Sequence, residues 1–183
     1  MEKGESGLAV LRRRMAEVEE ANQDLLAYAR GHAGVVSAVH EAVLAVLAAD
    51  TVEALTTIVT RDWPYLLGVD YVSLAWSCDG AAFAADAFGL RSFEPRLVAR
   101  MAGMERAVTM RQVGRGHPLF GDDARLVRAE VLIRLEGARG IGLVLLGQRD
   151  DAAFEAPAGA RLLRFLGRTA ATMLERWPTL DLS

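Results

Sequence analysis

From Leu8 onward the apolar residues recur in heptads, with Leu8, Met15, Asn22 and Ala29 at one seam position and Leu11, Val18, Leu25 and His32 at the other. This spacing marks a helix that buries a narrow stripe against another helix. Asn22 stands at an a-type position, where a buried amide fixes register and two-strandedness by pairing with its symmetry mate. Arg14 and Glu19 occupy g and e positions, so a parallel partner brings opposite charges together. The pattern predicts a parallel homodimer through Leu8, Leu11, Met15, Val18, Asn22 and Leu25. The competing arrangement is an amphipathic helix folded back on its own domain. Pairing is preferred because a seam asparagine is costly unless it specifies something. Gly31 and Gly34 are expected to interrupt this helix, yet Val36, Val39, Val43 and Val46 keep the heptad phase. The seam therefore either runs on into the following domain or bends at the glycines.

Asp50-Thr51-Val52-Glu53 reads as a capping box opening a second helix, with Val52, Leu55, Val59 and Leu66 on its buried face. Pro64 is expected to kink or end its regular part, and Gly68 suits a left-handed stop. After Gly68 the period changes to that of extended chain. Residues 69–78 alternate, Asp79-Gly80 supplies a tight turn and 81–88 return, which predicts a β-hairpin. Pro95 starts a short helix ending near Gly103, residues 107–112 form a short strand, and Gly114 through Gly121 is loop by composition. A second hairpin runs from Ala129 to Leu135 and from Gly140 to Gln148. A final helix after Phe154 and Pro157 carries Leu162, Phe165, Leu166, Ala170, Met173 and Trp177 on one stripe, and Pro178 stops it. Strands joined by tight hairpins are antiparallel, so the order predicts an α+β domain with its long helices gathered on one sheet face. The expected organisation is an N-terminal coiled-coil helix over 1–34, a domain over 35–178 and a tail over 179–183.

Composition narrows the function classes. With 183 residues, 52% of them hydrophobic, the chain buries a full core without staples. The 21 basic and 24 acidic residues are interspersed, for a formal charge of −3, so direct nucleic-acid binding is not expected. Cys78 is the single cysteine, which excludes an internal disulfide and fits a reducing, cytoplasmic address. No stretch has the ~20 apolar residues of a membrane span, and the charged N-terminus lacks a signal-peptide core, so no membrane role is expected.

The segment Leu67-Gly68-Val69-Asp70-Tyr71-Val72-Ser73-Leu74, the strand Gly140 to Gly147 and the Phe154-led helix resemble GAF domains. From about Leu11 to Trp177 the chain resembles the bacterial DUF484 family of unknown function, whose members are GAF-like. The resemblance implies a central antiparallel sheet of five or six strands flanked by helices. It also implies terminal helices packed together on one face, and a ligand cavity on the other under the 89–128 connection.

GAF-like domains that attach a bilin or reduce methionine sulfoxide use cysteines, so Cys78 is the first residue to weigh. It ends a strand with no adjacent histidine and no second cysteine, and is expected to be a packed structural thiol. His32, His40 and His117 lack metal-ligand spacing, so no metal or cofactor is expected. Arg111, Arg115, Arg125 and Arg128 gather around His117 among flexible glycines, and one reading of them is a small anion site. The plainer alternative is a solvated loop with Asp122 and Asp123 neutralising the arginines. Trp76, Phe83, Phe88 and Phe120 either line a pocket or fill the core. The ligand-binding candidates are thus Trp76, Arg111, Arg115, His117, Phe120 and Arg128. No nucleophile motif is present, so a catalytic role is not expected. The favoured function is a non-enzymatic, dimeric GAF-like sensor or regulatory scaffold, with a small anion as the candidate ligand. The alternative is a ligand-free adaptor for a cytoplasmic partner such as a DNA-processing enzyme.

Overall fold

A computed structural model of the chain describes residues 2–150 and 157–177, and within its helices the side chains of 2–12, 16–17, 21–22, 24–30, 32, 104 and 157–158 lie outside that description. Phe154, Pro178 and the expected tail over 179–183 therefore fall outside the described residues. Two compact units are distinguished, Met1–Ser37 and Ala38–Ser183.

The first unit is helical. Helix α1 spans Glu2–Leu47, and its backbone continues through Gly31 and Gly34, which do not interrupt it as expected. Of the six seam residues, Met15 is 64% exposed and Val18 69%. The side chains of Leu8, Leu11, Asn22 and Leu25 lie outside the described residues.

In the second unit the heptad phase serves a different purpose. Val39, Val43 and Val46 are buried in the domain's own core beside Val52, Leu55 and Trp63. The Trp63 indole N–H donates to the Ala42 carbonyl at 3.1 Å, fixing the C-terminal part of α1 to the next helical stretch. That stretch begins with α2 (Val52–Thr57), whose cap is Thr51 rather than the expected Asp50: the Thr51 hydroxyl accepts from the Ala54 amide at 3.1 Å. A π-helical turn, Ile58–Asp62, then precedes α3 (Trp63–Leu67). Pro64 has no amide to give and crowds the preceding turn, and a widened turn accommodates it without ending the helix. Gly68 closes the stretch at φ +65°, as its left-handed stop requires.

Six strands follow, β1 (Tyr71–Cys78), β2 (Ala81–Asp86), β3 (Gly89–Ser92), β4 (Val108–Gln112), β5 (Ala129–Glu136) and β6 (Gly140–Gln148), with α4 (Pro95–Met104) between β3 and β4 and α5 (Pro157–Leu174) after β6. The sheet order is β3-β2-β1-β6-β5-β4 and every pairing is antiparallel. Strand β3 had no counterpart in the periodicity. It is a four-residue, mostly exposed edge strand with no buried face to leave an alternation.

Alternation along the strands divides the core into two layers. Val72, Leu74 and Trp76 of β1, with Val131, Ile133 and Leu135 of β5, face α1, α2 and α5. Ala75, Leu132, Leu143 and Leu145 face the other way, under α4 and a 3-10 segment at Pro118–Arg125. The long helices do gather on one face, but the second face is covered as well. On α5 the buried positions are Leu166, Ala170, Ala171, Met173 and Leu174, whereas Phe165, expected on that stripe, is about half exposed.

Candidate functional site

The loop between β4 and β5 folds around one carboxylate. Glu130, on β5 directly across from Arg111 on β4, is 1% exposed. Its Oε1 accepts from Arg111 Nε at 2.7 Å, and the same guanidinium's terminal nitrogen approaches that oxygen at 2.7 Å. Its Oε2 accepts from the His117 backbone N–H at 2.7 Å. Arg128 turns inward onto the chain, donating to the carbonyls of Gly114 (3.2 Å), Arg125 (2.9 Å) and Val127 (3.1 Å). Arg115 stays exposed. Arg111 and Arg128 thus hold the 114–128 loop in shape, and the neutralising carboxylate is Glu130 rather than Asp122 or Asp123.

His117 caps the 3-10 segment, its Nδ1 accepting from the Leu119 N–H at 3.2 Å. Only a neutral imidazole leaves that nitrogen free to accept. Burial is the main influence on its titration and holds the value below the ordinary 6.5; the Arg111 charge acts in the same sense, against Glu130 and Glu105. A histidine value depressed by folding contributes stability that is complete above the unfolded value and lost as pH falls through the folded one. Thermal unfolding of the wild-type chain should therefore show a downward step in stability below pH 6.5. In His117→Asn, which keeps a capping acceptor, that step should vanish while stability at neutral pH changes by less than about 1 kcal/mol. A step of the same size in both proteins would show that another group carries it.

Trp76 and Phe120 do not share a wall. Trp76 is packed in the layer beneath the long helices, and Phe120 in the opposite layer, edge-on to Tyr71 with ring centroids 6.4 Å apart. That second layer is filled by Leu119, Phe120, Val127 and Val98 against the sheet. Gly116 and Gly147 permit this approach: a Cβ at Gly116 would lie 2.7 Å from Val127 Cβ, and one at Gly147 3.0 Å from the Phe120 ring. Cys78 is a buried free thiol, and burial, seconded by the Asp79 carboxylate, raises its pKa above the ordinary value. A raised value keeps the sulfur protonated and a poor nucleophile.

A cavity of about 350 Å³ opens where β1 begins and β2 ends. Its walls come from the π-helical turn and α3 (Thr60, Pro64), from β1 (Val72, Ser73), from Asp86 at the end of β2, and from Phe120. Of the six ligand-binding candidates only Phe120 reaches it. The others were missed because the cavity assembles four segments far apart in the chain, and only the π-helical turn, forced by Pro64, leaves a sequence signal. Among the described residues no group of three or more His, Cys, Asp or Glu is placed to hold a metal ion, and no helix is long and apolar enough to cross a membrane.

Six antiparallel strands with the long helices on one face and a short helix and loop on the other define an α+β domain of the GAF type. Similar solved structures include the GAF domain of a phosphoenolpyruvate-protein phosphotransferase from Coxiella burnetii, 15% identical, with a TM-score of 0.55 over 79% of this chain and 95% of that one. A GAF domain from Pseudomonas syringae pv. tomato is 13% identical, with a TM-score of 0.52 over 83% and 92%. Free methionine-R-sulfoxide reductase from Neisseria meningitidis is 15% identical, with a TM-score of 0.50 over 75% and 86%. At these identities the likeness is one of fold. The family model described as protein of unknown function, DUF484, matches residues 2–179, and the chain belongs to that family. No curated protein matches it.

Proposed function

We propose that this chain is a non-enzymatic GAF-like regulatory scaffold that works as a homodimer through the N-terminal part of α1. The observation that carries the reading is the exposure of Met15 and Val18, apolar residues at successive heptad seam positions of α1. Apolar seam residues left in water gain stability by pairing with a second copy. The filled α4 face and the arginines tied to Glu130, to Glu105 and to backbone carbonyls favour a scaffold over an anion sensor at the 111–128 loop. The similar GAF domain from Pseudomonas syringae is described as that of a sensor histidine kinase, which suits either role.

Native mass spectrometry of the full chain, before and after mild denaturation, tests this. The expected result is a dimer that releases no small anion. Asn22→Leu should keep the chain associated but populate other stoichiometries, because the polar seam residue that selects two strands is gone. A monomeric wild type, or an Asn22→Leu variant with unchanged stoichiometry and register, removes the pairing argument; a released anion moves the reading to sensing.

A further inference from the structure

We propose that the cavity between the π-helical turn and the start of β1 is a binding site for a small organic cation, a protonated amine carried on an apolar body. The site goes beyond the scaffold reading and does not depend on pairing of α1. Its volume, about 350 Å³, suits a ligand of fragment size. Ser73, on its floor, is only 1% exposed, and its hydroxyl forms no hydrogen bond among the described residues. The cavity leaves that hydroxyl open to a bound polar group.

The remaining polar atoms choose the ligand's chemistry. Thr60 donates its hydroxyl proton to the Thr56 carbonyl at 2.8 Å, so its oxygen offers only acceptor capacity. Asp86 accepts from the Phe88 N–H at 2.9 Å and from Arg91, and each carboxylate oxygen keeps a further lone pair. Of the four charged side chains lining the space, Asp70, Asp86 and Asp123 are carboxylates and Arg61 is the cation. Arg91 and Arg149 stand behind Asp86 and Asp70; the Arg149 amide donates to Asp70 at 2.8 Å, and its guanidinium is engaged with the Tyr71 hydroxyl at 2.7 Å. Net charge at the rim is therefore close to balanced. The decisive feature is that the inner surface presents acceptors, which calls for a ligand head rich in donors. An ammonium satisfies several such acceptors at once, and does so more strongly than a neutral donor. Phe120, Val72 and Pro64 supply an apolar wall for the body that carries it.

The test is a titration of the full chain, followed by two-dimensional amide NMR, with phenethylamine, phenylacetate and 2-phenylethanol, which share one aromatic body and differ in head-group charge. Phenethylamine is expected to give saturable shifts at residues 71–73, 86–87 and 120–123, with about tenfold tighter binding than the alcohol. Asp123→Asn should weaken it by about fivefold. Ala87→Trp, at an exposed position on the mouth, should abolish the shifts and leave the remaining spectrum that of a folded domain. Absence of saturable shifts with phenethylamine, phenylacetate binding as tightly as the amine, or unchanged binding in Ala87→Trp would each overturn the proposal.

Discussion

Trp76→Ala is expected to destabilise the domain by about 3–5 kcal/mol, read as a shift of the urea unfolding midpoint. The indole is fully buried, and β6 is built around it. Trp76 pairs with Gly142 across the β1–β6 ladder, and a Cβ at Gly140 would lie 2.1 Å from the indole Cζ2. Gly140→Ala should therefore cost about 1–3 kcal/mol in the wild type and much less in Trp76→Ala, where the obstructing ring is gone. Gly142→Ala supplies the control. Its Cβ would lie 2.1 Å from the Ala75 carbonyl oxygen, a backbone atom that no truncation of Trp76 moves, so its cost should persist in both backgrounds. Equal costs for Gly140→Ala in the two backgrounds would mean that the indole is not what keeps position 140 bare.

Removing the carboxylate of Glu130 is expected to have the second largest effect. Glu130→Ala takes away the acceptor for the Arg111 guanidinium and for the His117 amide together. Breaking a buried pair costs about 3–5 kcal/mol, and Arg111 is partly exposed and can rehydrate, so a loss of about 2–3 kcal/mol is expected here. Arg111→Leu should also destabilise, since it leaves the Glu130 charge buried with fewer partners. The double variant Arg111→Leu, Glu130→Leu should be less destabilised than the sum of the two single changes, because no unpaired charge remains. Amide exchange should speed up in the 114–128 loop of Glu130→Ala before it does in β1 or β6. Additive single effects would show that the pair acts through two unrelated contacts.

The hairpins, the short helix at Pro95 and the terminal helix were legible in the sequence because each leaves a local record. Periods of two and of 3.6 mark a buried face, and the Asp79-Gly80 turn carries the positive φ angles, +50° and +83°, that such a turn demands. Strand β3 left no record because Gly89-Leu90-Arg91-Ser92 is a short edge with little to bury. The helix cap moved from Asp50 to Thr51, since both residues are good caps and only the backbone geometry at Thr51 chooses between them.

The site was less legible than the fold. A glutamate in a strand reads as a solvent-facing position, and the burial of Glu130 comes with the Arg111 guanidinium and the His117 amide that close on its carboxylate. Trp76 and Phe120 look like companions in composition, yet opposite sheet faces receive them.

By itself the sequence determined the order of elements apart from β3, the antiparallel pairing of the two hairpins and the helical, heptad spacing of apolar residues near the N-terminus, because each follows from interactions a few residues apart. Tertiary structure alone decided what covers each buried face. Val39, Val43 and Val46 share one heptad phase with Met15 and Val18, but the first three meet the domain core and the last two meet water. Likewise Thr60, Ser73, Asp86 and Phe120 share a cavity only because separate segments converge at the start of β1, and periodicity records that a face is buried without recording its partner.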